Sequence, residues 1–156
     1  RAGSGEREIR YARQGNQKST EENSQEKKED DPLKITELHL IMPRLTPSLN
    51  KLLAMHWTER QKLQQTWHWE VLTAMRKTYQ EITFDYPKRK VRIISYRKKI
   101  CDDDNFIGGL KPLIDALISN HLLRDDSNKF MILDEPKQER DLKNQRTEVI
   151  ITEVKE

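Results

Sequence analysis

Two runs of aspartate, one on each side of a stretch with helical spacing, are the residues of this chain best suited to chemistry. Asp102, Asp103 and Asp104 form the first run, with Asn105 directly after it, and Asp125 and Asp126 form the second. Lys111 lies between them, four residues before Asp115. Carboxylate oxygens are hard donors, and a cation such as Mg²⁺ is held by one or two of them with retained waters. In an extended segment residues two apart point the same way, so Asp102 and Asp104 converge while Asp103 points elsewhere. The second run joins them if the strand that follows it pairs beside the strand that precedes the first. Lys111 and Asp115 share a helix face, so they form an ion pair or the ammonium faces phosphate. Each run alone has a structural use, because aspartate favours helix N-termini and Asp-Asp-Ser-Asn is ordinary turn chemistry. The two runs together, separated by one helix, point to a metal.

Other chemistries fail on spacing. A calcium loop beginning at Asp102 needs glycine at its sixth position and glutamate at its twelfth, where Ile107 and Leu113 stand. Zinc needs paired Cys or His, but His39, His56, His68 and His121 are scattered and Cys101 is the one cysteine. Gly108-Gly109 lacks the phosphate-loop pattern. Cys101 reads as a strand-end thiol, not as a nucleophile.

Charge is distributed unevenly. Residues 33–101 carry 14 Lys/Arg and 5 Asp/Glu, a net +9, whereas residues 102–156 carry 8 and 13, a net −5. A basic surface beside an acidic cluster suits a protein that holds phosphates and a divalent cation. Lys88, Arg89, Lys90, Arg92, Arg97, Lys98 and Lys99 flank or fill the strand that leads into Asp102, and they are candidates for holding phosphate, which the family resemblance drawn below makes the backbone of DNA. There is no apolar run long enough for a membrane span and no signal peptide is visible. One cysteine fits a reducing compartment, so a cytoplasmic location is expected.

The elements that must position these residues follow from periodicity. Residues 1–32 are a polar tail of Ser, Gln, Glu, Lys, Gly and Asn, too poor in apolar residues to offset ordering entropy, and are expected to be disordered. The domain is residues 33–156. Residues 35–42 alternate as a strand ended by Pro43, and residues 44–51 read as a loop around Pro47-Ser48. Thr58 and Gln61 suggest a capping box that opens a helix running to about Glu81. Leu63, Trp67, Val71, Met75 and Ile82 form its apolar stripe, with Ala74 and Tyr79 beside it. Trp67 and Trp69 are conceivable base-stacking groups, but Trp67 on the stripe reads as core. Residues 88–100 are a strand rich in β-branched side chains. Residues 105–120 read as one helix, kinked or started late by Gly108, Gly109 and Pro112. A turn at 124–128, a short strand at 129–133, a charged connection at 135–144 and a strand at 147–154 complete the chain. The order βαβαββ predicts an α+β domain, a four-stranded mixed sheet packed by two helices.

The run Asp102-Asp103-Asp104-Asn105, then Lys111, then Asp115-Ala116-Leu117, then Asp125-Asp126 resembles the signature of the RusA-type Holliday junction resolvases, which reads D-x-D-N, a helical lysine, D-A-L, and D-D after the helix. Pro47-Ser48 with Asn50 is similar to that family's Pro-Ser-Asn segment. The likeness spans residues 35–154 and is specific over 102–126. Three extra residues lie between the D-x-D-N and Lys111, nearly one helical turn, and Cys101 stands where a basic residue precedes the first aspartate. Asn120-His121 stand where a glycine commonly closes the helix, and asparagine tolerates the left-handed cap conformation. The resemblance implies a homodimeric Mg²⁺-dependent endonuclease, with Mn²⁺ as a substitute, that nicks four-way DNA junctions in recombination and repair. It implies Asp102, Asp104 and Asp126 as metal ligands, Asp125 as an accessory carboxylate and Lys111 as a phosphate-facing cation. The alternative is a non-catalytic DNA-binding or regulatory protein on the same fold.

Overall fold

Leu38, Leu40 and Met42 are buried while Glu37, His39 and Ile41 are exposed, the period-two pattern of a strand with one face on a core. In the computed structural model, which describes residues 37–78 and 84–155, this segment is strand β1, Glu37–Met42. The 1–32 tail, Tyr79 and Ile82 lie outside the described residues. Helix α1 is Leu49–Ala54 and helix α2 is Trp57–Lys77. Strand β2 is Arg89–Arg97, followed by helix α3, Asp103–Gly108, and helix α4, Lys111–Ser119. Strands β3, Met131–Leu133, β4, Lys137–Arg140, and β5, Arg146–Glu153, complete the fold.

The α+β class stands, but the described sheet has five strands, not four, and the described residues form four helices, not two. Its order is β1-β5-β2-β3, with β4 also on β2. β5 pairs antiparallel with β1 and with β2. β3 and β4 share the other edge of β2 in parallel, β3 along Arg89–Val91 and β4 along Ile94–Arg97. β4 falls in the segment read as a charged connection. Its residues Lys-Gln-Glu-Arg carry no apolar alternation, because an edge strand can be held by backbone bonds alone.

α2 packs on β1 and α4, burying Trp67, Val71 and Ala74 with Leu113, Ala116 and Leu117. Fully burying side chains of this size contributes about 1.5–3 kcal/mol each, before entropic costs. Trp67 is 0% exposed and its indole N–H finds no acceptor, so shape alone holds it there. Trp69 is exposed, as the stripe required.

Three helix boundaries differ from the sequence expectation. α1 begins inside the expected loop, because Ser48 accepts a bond from the Lys51 N–H (3.2 Å) and so caps a helix. α2 is capped by the His56 ring, which accepts from the Thr58 N–H, so Thr58 lies inside the helix. The helix expected over 105–120 is two helices, since Gly108-Gly109 closes α3 and Pro112 sits at the start of α4, where its missing N–H costs nothing. Past α4 it is His121, not Asn120, that takes the left-handed conformation, with φ 63°.

Candidate functional site

The site grows out of the end of β2. Val91, Ile93, Ser95 and Arg97 face inward, so period two carries a guanidinium into the interior. Arg97 is 9% exposed and donates to Ser95 Oγ (2.7 Å), the Thr46 carbonyl (2.8 Å) and Thr46 Oγ1 (2.8 Å). Its charge lies 5.3 Å from the Phe106 ring centroid, and burial draws its pKa down. Arg97 is therefore a structural clamp on the segment before α1, not an exposed phosphate contact. The inward series Val91, Ile93, Ser95 was the sequence signal for this role.

After β2 the chain bends at Lys98 and Lys99 and is then held to β4 by an amide. Gln138 of β4 accepts from the Cys101 N–H (3.1 Å) and donates to the Cys101 carbonyl (2.9 Å), extending the sheet by one side chain. The thiol also lies 3.4 Å from that amide oxygen. Asp102 follows as the N-cap of α3, with extended backbone (φ −63°, ψ 151°). Its carboxylate makes no capping bond to the backbone of α3 and instead accepts from Asn105 Nδ2 at 2.9 Å. That bond holds the Asp102 carboxyl below the ordinary aspartate range. Asn105 Oδ1 accepts from the Asn50 N–H (3.3 Å), so one side chain joins the aspartate run to the Pro47-Ser48-Asn50 segment.

Asp103 and Asp104 are in the first turn of α3, where carboxylates suit the helix dipole. The extended geometry that would align Asp102 with Asp104 therefore ends at Asp102. Asp102, Asp103, Asp104, Asp125 and Asp126 are all exposed. The strand after the second run, β3, does pair in parallel beside β2, but along Arg89–Val91, the opening of β2. Asp102 lies five residues past Arg97, the last residue of β2. No residue of either run takes part in the pairing of β2 with β3.

Lys111 is what connects α4 to the second run. Its Nζ lies 3.4 Å from Asp115 Oδ1 and 3.9 Å from Asp126 Oδ2, and all three side chains are accessible. Asp125 Oδ1 accepts from the Asp126 N–H at 2.6 Å, closing the turn. The donor chemistry of Asp102, Asp104 and Asp126, hard accessible carboxylates, suits Mg²⁺. Their packing does not complete a cage: among the described residues no group of three or more His, Cys, Asp or Glu side chains is assembled that could hold a metal ion.

The basic residues in and beside β2 divide into two sets. Arg92, Lys98 and Lys99 are exposed. Lys90 pairs with Asp134 at 3.5 Å, and Lys88 is half-buried. Arg89 is half-buried, stacks on Phe84 (4.4 Å) and donates to the Leu122 carbonyl, with its pKa lowered by burial. Arg89 therefore ties the chain after α4 to the start of β2. Among the described residues no helix is long and apolar enough to cross a membrane. No protein-family model matches the chain, and no curated protein matches it.

Proposed function

We propose that the chain is a Mg²⁺-dependent DNA endonuclease of the RusA kind, acting as a homodimer on four-way junctions by paired nicks. The observation that carries this reading is the Lys111–Asp126 contact at 3.9 Å within the ordered pattern of Asp102, Asp104, Asn105, Lys111, Asp115 and Asp125-Asp126. Pure binding of a polyanion has no use for this many accessible carboxylates, since each repels phosphate. A cation that bridges the carboxylates to phosphate removes the conflict. Asp102, Asp104 and Asp126 would hold it, one or two at a time, with waters and a DNA phosphate completing its shell. When bound it would supply a hydroxide-generating water and neutralise charge on the attacked phosphate.

The chain's own residues have separate tasks in this reading. Asn105 donates to the Asp102 carboxylate and fixes its direction. Lys111, within 4 Å of both Asp115 and Asp126, neutralises the phosphate from the α4 side. Arg92, Lys98 and Lys99 hold the DNA backbone and make binding salt-dependent. Two-fold symmetry in the protein matches two-fold symmetry in the junction.

The test is a synthetic four-way junction incubated with the chain and Mg²⁺, with and without chelator, beside Asp104→Asn. Paired nicks that need the metal, and retained junction binding without cleavage in the variant, are the expected outcome. Binding with no cleavage under any condition would leave the non-catalytic DNA-binding reading in its place.

A further inference from the structure

The chain that leaves α4 and the residues that open β2 enclose a pocket of about 490 Å³, lined by Pro87, Arg89, Ile118, His121, Leu123 and Arg124. Three of those side chains are basic and none is acidic. Both guanidiniums lie on aromatic rings: Arg89 is 4.4 Å from the centroid of Phe84, and Arg124 is 5.1 Å from that of Phe130. Arg89 Nη1 also donates to the Leu122 carbonyl and reaches the His121 carbonyl at 3.5 Å. Its Nε is buried with no acceptor among the described residues. His121 and Arg124 are exposed. The neighbouring carboxylates hold backbone amides. Glu153, which acts on Arg89 through space, accepts from the Asp85 and Tyr86 N–H groups (2.9 and 3.1 Å). Asp125, next to Arg124, accepts from the Asp126 N–H (2.6 Å).

We propose that this pocket binds a phosphate group, carried either by a DNA backbone or by a small phosphate ester. A guanidinium presents a planar fork of donors that meets a phosphate in two parallel bonds. An imidazole adds a donor in either protonation state. The three groups come from three places in the chain: the first residue of β2, the second residue past α4, and the residue before Asp125-Asp126. Donors from separate segments suit a tetrahedral anion, whose oxygens point apart, better than a planar carboxylate, whose two oxygens share one edge. Pro87, Ile118 and Leu123 bring no side-chain acceptor to compete with it. A pocket of this volume lies in the range that admits a small organic ligand, so the organic part of an ester has room. On DNA the occupant is a phosphate beside the one cleaved. Arg124 stands two residues before Asp126, whose carboxylate lies 3.9 Å from Lys111 Nζ. A backbone that reaches Asp126 and Lys111 presents a further phosphate to Arg124.

The DNA source rests on the nuclease reading; the preference for phosphate does not. The test uses the full chain with chelator present, so that cleavage plays no part. Sodium phosphate and glycerol 3-phosphate are each compared with sodium chloride at equal ionic strength. Either phosphate should raise the melting temperature of wild type above its value in chloride. Arg124→Gln with His121→Asn should lose that rise, and Arg124→Lys should keep most of it. Asparagine tolerates the left-handed backbone at 121, and a melting temperature in chloride within a few degrees of wild type shows that the variant folds. In wild type, sodium phosphate should also shift the backbone amide NMR resonances of residues 121–124 saturably, which reads the pocket without any variant. Anisotropy with a labelled four-way junction separates the two sources. If DNA supplies the phosphate, Arg124→Gln weakens junction binding about tenfold and makes log affinity against log salt shallower by about one. Unchanged junction binding beside a phosphate-specific rise assigns the small ester. No phosphate-specific rise in wild type, a rise that survives in the double variant, or unmoved resonances at 121–124 overturns the pocket. Phosphate binding in a chain that never nicks a junction sinks the nuclease reading alone; nicking by a chain that ignores both phosphates sinks the pocket alone.

Discussion

Gly109 lies so close to Pro47 that a β-carbon at position 109 would overlap the Pro47 carbonyl oxygen. Its neighbour Gly108 faces Leu49, with the leucine Cδ2 2.8 Å from where a β-carbon would stand. These two glycines seat the α3–α4 break on the 47–50 segment. Asn105 fastens Asn50 of that segment, and Arg97 fastens Thr46 just before it.

Gly109→Ala should therefore destabilise the fold by about 2–3 kcal/mol, since backbone cannot yield as a side chain can. Gly108→Ala should cost less, because its overlap is shallower, 2.8–3.0 Å from Leu49 side-chain atoms. Urea unfolding of the two variants checks the ranking; a Gly109→Ala protein as stable as wild type would contradict the close approach.

Arg97→Met leaves the Thr46 carbonyl and the Ser95 and Thr46 hydroxyls without their buried donor. The expected loss is about 2–4 kcal/mol. Arg97→Lys should recover less than half of it, because an ammonium cannot reproduce the planar fork that meets Thr46 and Ser95 together. Chemical denaturation of both variants measures this, and full rescue by lysine would mean that charge alone matters there.

The Asp102 carboxyl titrates below the ordinary aspartate range because Asn105 hydrogen-bonds its charged form. A depressed folded pKa contributes stability above the unfolded value, and that contribution is lost as pH falls through the folded value. Asn105→Ala should raise the Asp102 pKa toward the ordinary range and narrow the acid side of the stability profile. Carboxyl NMR titration reads the first effect directly; an unmoved Asp102 resonance would assign the depression to another cause.

Lys111→Gln separates structure from chemistry. Its ion pairs with Asp115 and Asp126 are accessible to solvent, so stability should change by less than about 1 kcal/mol. Under the nuclease reading, junction cleavage should fall about a hundredfold or more while binding weakens little. Melting curves and single-turnover cleavage with the same preparation test both halves, and undiminished cleavage would remove Lys111 from the site.

Periodicity was enough to read β1 from Leu38, Leu40 and Met42, the stripe of α2 through Trp67 and Val71, the body of β2, and the strand that became β5. In each, a repeated apolar position faces one core, which is a local signal. The aspartate runs and Lys111 were likewise visible as residue types in order. Tertiary structure decided what no local pattern carries. Backbone pairing along the edge of β2 made a strand of Lys137–Arg140. A cap by Ser48 made a helix where Pro47 suggested only a loop. Burial withdrew Arg97 from the basic surface, because a guanidinium finds its carbonyl partners in a segment about fifty residues away. Which stretch of β2 accepts β3 was also settled there, a register that only packing sets.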